Sequence, residues 1–172
     1  MASELKNLSE FEGGEIPSAK GMKFGIVVAE WNHEITNALY TGARATLLKC
    51  GANESDILYR TVPGSFELIL GAQYMAEEGN VDAVICIGCV IQGDTKHFDF
   101  ICDAVANGIT NLNIKHKMPF VFGVLTTNNL EQAQDRAGGK HGNKGDEAAV
   151  TAIKMLAMKK SFSKDKGPIG FK

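Results

Sequence analysis

The chemically most versatile side chains of this chain stand close together in residues 88–100, GCVIQGDTKHFDF. Histidine is the one side chain that readily gains or loses a proton near neutral pH, and His97 follows a loop that contains Gly93 and Thr95. Glycine lets a ligand approach the backbone closely, and a threonine hydroxyl donates a hydrogen bond. These residue types predict a site that binds an anion and moves a proton beside it.

The elements on either side of this stretch would place it at a helix N-terminus. Residues 83–87 are apolar without alternation, which predicts a strand that is buried on both faces. Gly88 and Gly93 then bracket a predicted loop, and apolar residues return at helical spacing. The free N–H groups of a first helical turn favour an anion such as phosphate. On this stretch alone a simpler interpretation is equally open, in which Asp94 or Thr95 only caps the helix.

Strands and helices alternate along the rest of the chain. Apolar runs predict four strands, over residues 23–29, 56–62, 83–87 and 120–125. Helical spacing predicts helices over residues 34–50 and 65–78, a third that follows the loop after Gly93 and runs to about residue 115, then a short helix capped by Asn129 and a last helix after residue 145. This alternation predicts an α/β fold, a flavodoxin-like three-layer α/β/α sandwich whose four-stranded parallel sheet has helices on both faces. The glycine-rich residues 138–145 are predicted to be a linker.

Aromatic and polar residues follow the first two predicted strands. Trp31 and Asn32 come after the first strand, and Ser65, Phe66 and Glu67 come after the second. In open parallel sheets, ligands bind beyond the carboxyl ends of the strands. An aromatic side chain there can stack on a flat heterocycle, and a carboxylate can accept hydrogen bonds from sugar-like hydroxyls. Packing for Trp31 and a favourable helix-dipole position for Glu67 are the open alternatives.

Length and composition limit the class of function. With 172 residues the chain is long enough for one domain with a real core. The net charge is -2, so the chain has no basic excess and nucleic acid is not an expected partner. No apolar run approaches the roughly 20 residues of a membrane span, and the acidic start is unlike a signal peptide. We therefore expect a cytoplasmic protein without a membrane partner.

The cysteines formally match a redox or metal motif, because Cys86 and Cys89 are three residues apart. If both lie in an extended strand, their side chains point to opposite faces and cannot easily share a metal or a disulfide. The sequence has no second C-x-x-C pair to complete a zinc site. We therefore expect no metal site and interpret Cys86 and Cys102 as small, buried apolar residues.

Several motifs at consistent spacing resemble the lumazine synthase family. They are residues 88–101 (GCVIQGDTKHFDFI), 62–68 (VPGSFEL), 122–127 (FGVLTT), 131–133 (EQA) and 136–138 (RAG). The resemblance covers about residues 22–158 in order and without an obvious insertion. It implies condensation of 5-amino-6-ribitylaminouracil with 3,4-dihydroxy-2-butanone 4-phosphate to 6,7-dimethyl-8-ribityllumazine, the step before riboflavin, with release of phosphate and water. It also implies that the reaction uses no cofactor, no metal and no protein nucleophile.

The resemblance assigns expected roles to individual residues. His97 would carry the proton, Phe122 and Arg136 would reach the site from a neighbouring subunit, and Lys144 would be a second basic residue near the heterocycle. On composition alone, both cations would be solvated charges. The residues expected to contact the ring and ribityl chain are Trp31, Asn32, Ser65, Phe66, Glu67, Cys89, Val90, Ile91, Phe122 and Lys144. The residues expected to hold the phosphate are Gly93, Asp94, Thr95 and Arg136. Two residues depart from the family pattern: Cys89 replaces a small or hydroxylated residue, and Asp94 suits phosphate only through its N–H.

The resemblance also implies an assembly. It divides the chain into an N-terminal arm (1–21), a lumazine synthase domain (22–158) and a flexible basic tail (159–172), with the arm lying along a neighbour's sheet. Family members form pentamers with active sites at subunit interfaces, and the short linker resembles that of members that build a sixty-subunit icosahedral capsid. Riboflavin synthase is a further partner that the resemblance suggests. The alternatives are a non-catalytic flavin or lumazine carrier and a shell protein, but a carrier would not need His97 and Arg136 together.

Overall fold

The structure is a computed structural model that describes residues 16–164. Its central sheet has four strands, all parallel, in the order β2-β1-β3-β4. The strands are β1 (Phe24–Ala29), β2 (Ile57–Val62), β3 (Ala83–Ile91) and β4 (Phe120–Thr127). The helices are α1 (His33–Lys49), α2 (Leu68–Glu78), α3 (His97–His116), α4 (Leu130–Arg136) and α5 (Lys144–Lys164), with a 3-10 turn at Glu54–Asp56 and a small hairpin of β5 (Ala137–Gly139) and β6 (Gly142–Asn143). The predicted fold class is confirmed.

The sheet is buried on both faces because α1 and α5 cover one side and α2 and α3 cover the other. Successive strand side chains point to opposite faces, so β1 contributes Phe24, Ile26 and Val28 to one core and Val27 to the other. This two-sided burial explains why the central strands β1 and β3 show no alternation of apolar and polar residues. Cys86 and Cys89 belong to opposite cores, as predicted.

The third strand is longer than predicted, because it continues through Gly88 to Ile91. The ladder with β4 pairs Gly88 with Val124 and Ile91 with Thr127. Gly88 is therefore not a turn residue. A Cβ at this position would lie 2.8 Å from the Ser65 Oγ and 2.9 Å from the Leu68 Cδ1, so the glycine permits close packing against the loop and helix that follow β2.

The region between β4 and α5 contains more structure than predicted. Asn129 caps α4 as expected, since its side chain accepts a hydrogen bond from the Gln132 N–H at 2.9 Å. Residues 138–145, predicted to be a linker, instead contain most of the β5–β6 hairpin and the start of α5. Strands of two or three residues are too short to produce a periodic pattern, which is why sequence reasoning missed them.

The structure describes the chain on both sides of the two predicted boundaries, at residues 21 and 158. Ala19 is buried and its N–H donates to the Cys50 carbonyl at 2.8 Å, so the end of the predicted arm packs on the domain. The last helix passes the predicted boundary at residue 158 and continues to Lys164, because lysine and methionine favour helix and no glycine or proline occurs before Gly167. The other predicted arm and tail residues, 1–15 and 165–172, lie outside the described residues.

Within residues 16–164, no helix combines the length and the apolar character needed to cross a membrane. In the same range, no three His, Cys, Asp or Glu side chains are grouped as metal ligands. Cys102 is only half-buried, contrary to the prediction, because α3 has one face open to solvent.

Candidate active site

A pocket of about 710 Å³ lies beyond the carboxyl ends of the strands. It is formed by the ends of β1, β2 and β3, the loops that follow β1 and β2, and the first turns of α3. Its lining residues are Trp31, Asn32, Gly64, Ser65, Phe66, Glu67, Cys89, Val90, Ile91, His97 and Ile101. The structure thus brings His97 together with eight of the ten residues expected to contact the ring or ribityl chain. The other two, Phe122 and Lys144, do not line this pocket.

The wall of the pocket next to β1 is held by backbone and side-chain hydrogen bonds. Asn32 has a left-handed backbone with φ 57° at the N-cap of α1, a conformation that asparagine tolerates better than most residues. Its Nδ2 donates to the Cys89 carbonyl at 2.9 Å, and the Trp31 N–H donates to the Pro63 carbonyl at 3.2 Å. These bonds join the ends of all three strands around the pocket.

Two aromatic side chains that line the pocket are exposed to solvent. Trp31 is 72% exposed, and Phe66 on the opposite loop is also more than half exposed. Large aromatic side chains are normally more buried than this in a folded domain. Their exposure beside a pocket fits a surface on which a flat ring stacks.

The loop after β2 offers polar groups to a ligand. The Ser65 hydroxyl is buried and has no hydrogen-bond partner within the described part of the chain. A buried hydroxyl without a partner is unusual, so a polar ligand atom is a natural partner for it. Glu67 stands at the N-cap of α2 with its side chain exposed and no capping bond, which leaves the carboxylate available as an acceptor.

His97 is the first residue of α3, and its side chain is exposed at the pocket. Its N–H donates to the Thr95 Oγ1 at 3.4 Å, a long contact. The predicted N-cap of α3 was wrong: Lys96 occupies that position, with a helical backbone and no side-chain cap. Gly93, Asp94 and Thr95 are exposed in the preceding loop and do not line the pocket.

Cys89 lines the pocket and its carbonyl accepts the bond from Asn32, but its thiol is not activated as a nucleophile. The side chain is buried, and this burial raises the pKa of the thiol to about 11. Only a thiolate is a good nucleophile, so the protonated Cys89 fits a site without a cysteine nucleophile. The departure from the family pattern is accommodated because the thiol packs in the core that also contains Ile87.

Alkylation of Cys89 by iodoacetamide is expected to be slow at pH 8, where only about 0.1% of a thiol with this pKa is ionised. Because burial raises the pKa, the rate should increase about tenfold per pH unit between pH 7 and 9. Mass spectrometry of the native protein can compare Cys89 with the half-buried Cys50 and Cys102. Labelling of Cys89 before both of these cysteines would contradict this account.

The remaining predicted site residues lie elsewhere in the same chain. A second pocket of about 710 Å³ runs along β4 beside α5, and it shares no lining residue with the first. Phe122, Arg136 and Lys144 all line it. Phe122 projects from the edge strand β4 and is 42% exposed. Because the resemblance predicts one active site that combines these two surfaces from neighbouring copies, we call this surface the second half-site and the pocket around His97 the first half-site.

The two cations of the second half-site are oriented by local bonds. The Arg136 Nη1 donates to the Gln132 carbonyl one turn earlier in α4, at 2.9 Å. Lys144 forms an ion pair with Glu147 in the first turn of α5. Glu147 also lines the second half-site, and sequence reasoning missed it although its i,i+3 spacing from Lys144 was a usable signal.

A sandwich of this kind, with a pocket beyond the carboxyl ends of a parallel sheet, is typical of α/β proteins that bind small molecules, and an exposed histidine in the pocket can transfer a proton. Comparison with known protein families gives the particular member of that class. Residues 21–160 match the sequence model of the 6,7-dimethyl-8-ribityllumazine synthase family, and the chain belongs to this family. The resemblance inferred from the sequence motifs is confirmed.

Individual relatives agree with this assignment over almost their whole lengths. A 6,7-dimethyl-8-ribityllumazine synthase of Cytophaga hutchinsonii is 64% identical over 157 residues, covering 91% of this chain and 98% of the relative. The enzyme of the same name from Phocaeicola vulgatus is 52% identical over 164 residues, covering 95% and 98%. That of Bacteroides fragilis is 58% identical over 143 residues, covering 83% and 100%.

Proposed function

We propose that this protein is a lumazine synthase of riboflavin biosynthesis. It condenses 5-amino-6-ribitylaminouracil with 3,4-dihydroxy-2-butanone 4-phosphate to 6,7-dimethyl-8-ribityllumazine and releases phosphate and water. The observation that carries this proposal is the convergence of Trp31, Glu67 and His97 on one pocket in a chain of this family. A carrier of the ring alone would have no use for His97 and Arg136 together, so the enzyme is the better account.

The geometry supports a mechanism in which the protein mainly positions two substrates. The uracil ring stacks on Trp31, and the ribityl hydroxyls donate to the Glu67 carboxylate and meet the Ser65 hydroxyl. The substrate amine attacks the ketone to form an imine with loss of water, phosphate then leaves, and ring closure with loss of a second water completes the product. His97 stands at the pocket to give and take the protons of these steps.

The phosphate is held between the two half-sites. The N-terminus of α3 and the preceding loop of Gly93, Asp94 and Thr95 offer backbone N–H groups. Arg136 of a neighbouring copy supplies a forked guanidinium contact. The departing anion is thus stabilised on both sides. Support for a contribution from the neighbour is that one chain carries the two half-sites on separate surfaces.

We further propose a cytoplasmic pentamer whose active sites lie at the interfaces between subunits. The exposed edge strand β4 with Phe122 is the surface that supports this assembly. Twelve such pentamers would form the icosahedral capsid, and riboflavin synthase, which consumes the product, would be its functional partner. Velocity sedimentation of the purified protein distinguishes a pentamer from a capsid.

The proposed activity is tested by mixing the purified protein with both substrates, without added metal or cofactor. Product formation is followed by lumazine absorbance and fluorescence against the uncatalysed background. Acceleration that decreases when inorganic phosphate is added is the expected result. No acceleration, together with tight binding of riboflavin, would overturn the proposal in favour of a carrier.

Replacement of His97 by alanine is expected to lower kcat by about 100-fold, the lower end of the usual contribution of a general acid or base, and to leave KM nearly unchanged. A positioned proton carrier contributes at this scale, whereas substrate positioning survives in the variant. Steady-state kinetics with circular dichroism measure the effect. His33→Ala is the matched control, because His33 is also an exposed first residue of a helix but does not line the pocket. Complete inactivity of His97→Ala with an intact fold would rule out the positioning mechanism.

A further inference from the structure

One side chain, that of Asn143, ties the β5–β6 hairpin and the start of α5 to α1. Its Nδ2 donates to the Ala38 carbonyl of α1 at 2.9 Å. Its Oδ1 accepts from the Gly145 N–H at 2.8 Å, in the first turn of α5. The first turn of α5 is also bonded to α1, because the Thr46 hydroxyl of α1 donates to the Asp146 Oδ1 at 3.1 Å. Asn143 therefore uses both ends of its amide to join three elements.

Asn143 stands between the two cations of the second half-site. Lys144 follows it directly at the start of α5. In the β5–β6 ladder Asn143 pairs with Ala137, which follows Arg136 at the end of α4. Asn143 and its ladder partner Ala137 are therefore the chain neighbours of Lys144 and Arg136. The bond from Asn143 to α1 thus anchors the backbone next to both cations.

The contact between α1 and the start of α5 has little free space. A Cβ at Gly42 would lie 2.6 Å from the Asn143 Cγ. A Cβ at Gly145 would lie 1.9 Å from the Leu39 carbonyl oxygen. Packing this close cannot absorb a shift of Asn143 without moving the segment that it holds.

From this geometry we propose that Asn143 is a positioning residue, which holds Arg136 at the phosphate of the ketone substrate and Lys144 near the heterocycle. Asn143 itself is not among the residues that line either half-site. Its effect on catalysis rests on the proposed function, whereas its effect on the local structure does not. The glycine-rich segment around it is then a device for orienting cations, not a phosphate-binding loop.

Two variants separate the bonds of Asn143. Asn143→Asp keeps the acceptor for the Gly145 N–H, and a carboxylate at a helix N-terminus is a good cap. It loses the donor to the Ala38 carbonyl and places a negative charge beside that oxygen. Asn143→Ala loses both bonds. Ile109→Val is the control, because it removes one methylene from the core on the other face of the sheet and costs a comparable amount of stability.

The kinetic test uses the assembled full-length protein. In both Asn143 variants, KM for the phosphorylated ketone and the inhibition constant of inorganic phosphate should rise about tenfold, with kcat little changed. Ile109→Val should leave both constants unchanged. Wild-type constants in Asn143→Asp would overturn the role of the bond to α1. Wild-type constants in both variants would overturn the proposal.

A second measurement does not depend on activity. Hydrogen exchange of the backbone amides in residues 137–145 should be faster in both Asn143 variants than in the wild type, and unchanged in Ile109→Val. If the wild-type protein makes no lumazine, that failure belongs to the proposed function, and the exchange result still decides whether Asn143 holds the hairpin. Unchanged exchange in this segment would overturn the positioning role.

Discussion

Replacement of Arg136 by alanine should lower kcat/KM for the phosphorylated ketone about 100- to 1000-fold. A guanidinium that binds phosphate through two charge-assisted hydrogen bonds loses this much when it is removed. The free energy of unfolding should change little, since the bond that Arg136 makes within the chain is to a carbonyl one turn earlier in its own helix. Inhibition by inorganic phosphate should weaken in parallel, because the same contact holds the free anion.

Steady-state kinetics with varied ketone and added phosphate measure both effects of Arg136→Ala. Arg60→Ala is the matched control: it removes the same charge from β2, at the opposite edge of the sheet from β4. We expect wild-type kinetics for this control. Equal losses in the two variants would mean a general effect of charge, and unchanged phosphate inhibition in Arg136→Ala would exclude Arg136 from the anion site.

Replacement of Gly145 by alanine should be the most destabilising single change at the contact between α1 and α5. Its Cβ would lie 1.9 Å from the Leu39 carbonyl oxygen and 2.7 Å from the Leu39 carbonyl carbon. These are backbone atoms, so no side-chain rotation relieves the overlap and the start of α5 must move. We expect a loss of about 3 kcal/mol in the free energy of unfolding and a decrease in Tm of about 10 °C.

Thermal unfolding followed by circular dichroism measures this effect of Gly145→Ala. Gly93→Ala is the control for stability, because nothing lies within 4 Å of a Cβ at Gly93 and its backbone does not require a glycine. Its Tm should change by no more than about 2 °C. A wild-type Tm for Gly145→Ala would contradict the close packing of α5 on α1.

The sequence was sufficient for the fold because the central strands β1 and β3 are buried on both faces and the long helices have apolar stripes. Its main error was at Gly88, where a glycine after an apolar run indicates a turn. In the structure, Gly88 lies inside β3 and is required by the close approach of Ser65 and Leu68. Such a contact joins residues far apart in the chain, so no local pattern reveals it.

The site could be predicted only in part. The rule that ligands bind beyond strand ends found Trp31 and the stretch around His97 without any comparison. Arg136 and Lys144 were found only by resemblance, because a cation at a helix end is ordinarily a solvated charge. Asn143 was missed, since its role depends on the Ala38 carbonyl, which is 105 residues away in the chain.

In the proposed assembly, each active site takes its first half-site from one copy and its second half-site from a neighbour. Complementation between two impaired variants tests this division directly. One chain carries Trp31→Ala and His97→Ala, which damage the first half-site, and the other carries Arg136→Ala, which damages the second. The two chains are coexpressed with different affinity tags, and mixed assemblies are purified over both tags in sequence.

With random mixing, about one quarter of the sites would combine two intact halves. We therefore expect the mixed assemblies to regain up to about a quarter of the wild-type lumazine synthase activity. Separately assembled variants that are mixed afterwards should stay as inactive as either alone. Mixed assemblies with no more activity than the average of the two variants would contradict an active site shared between two copies of the chain.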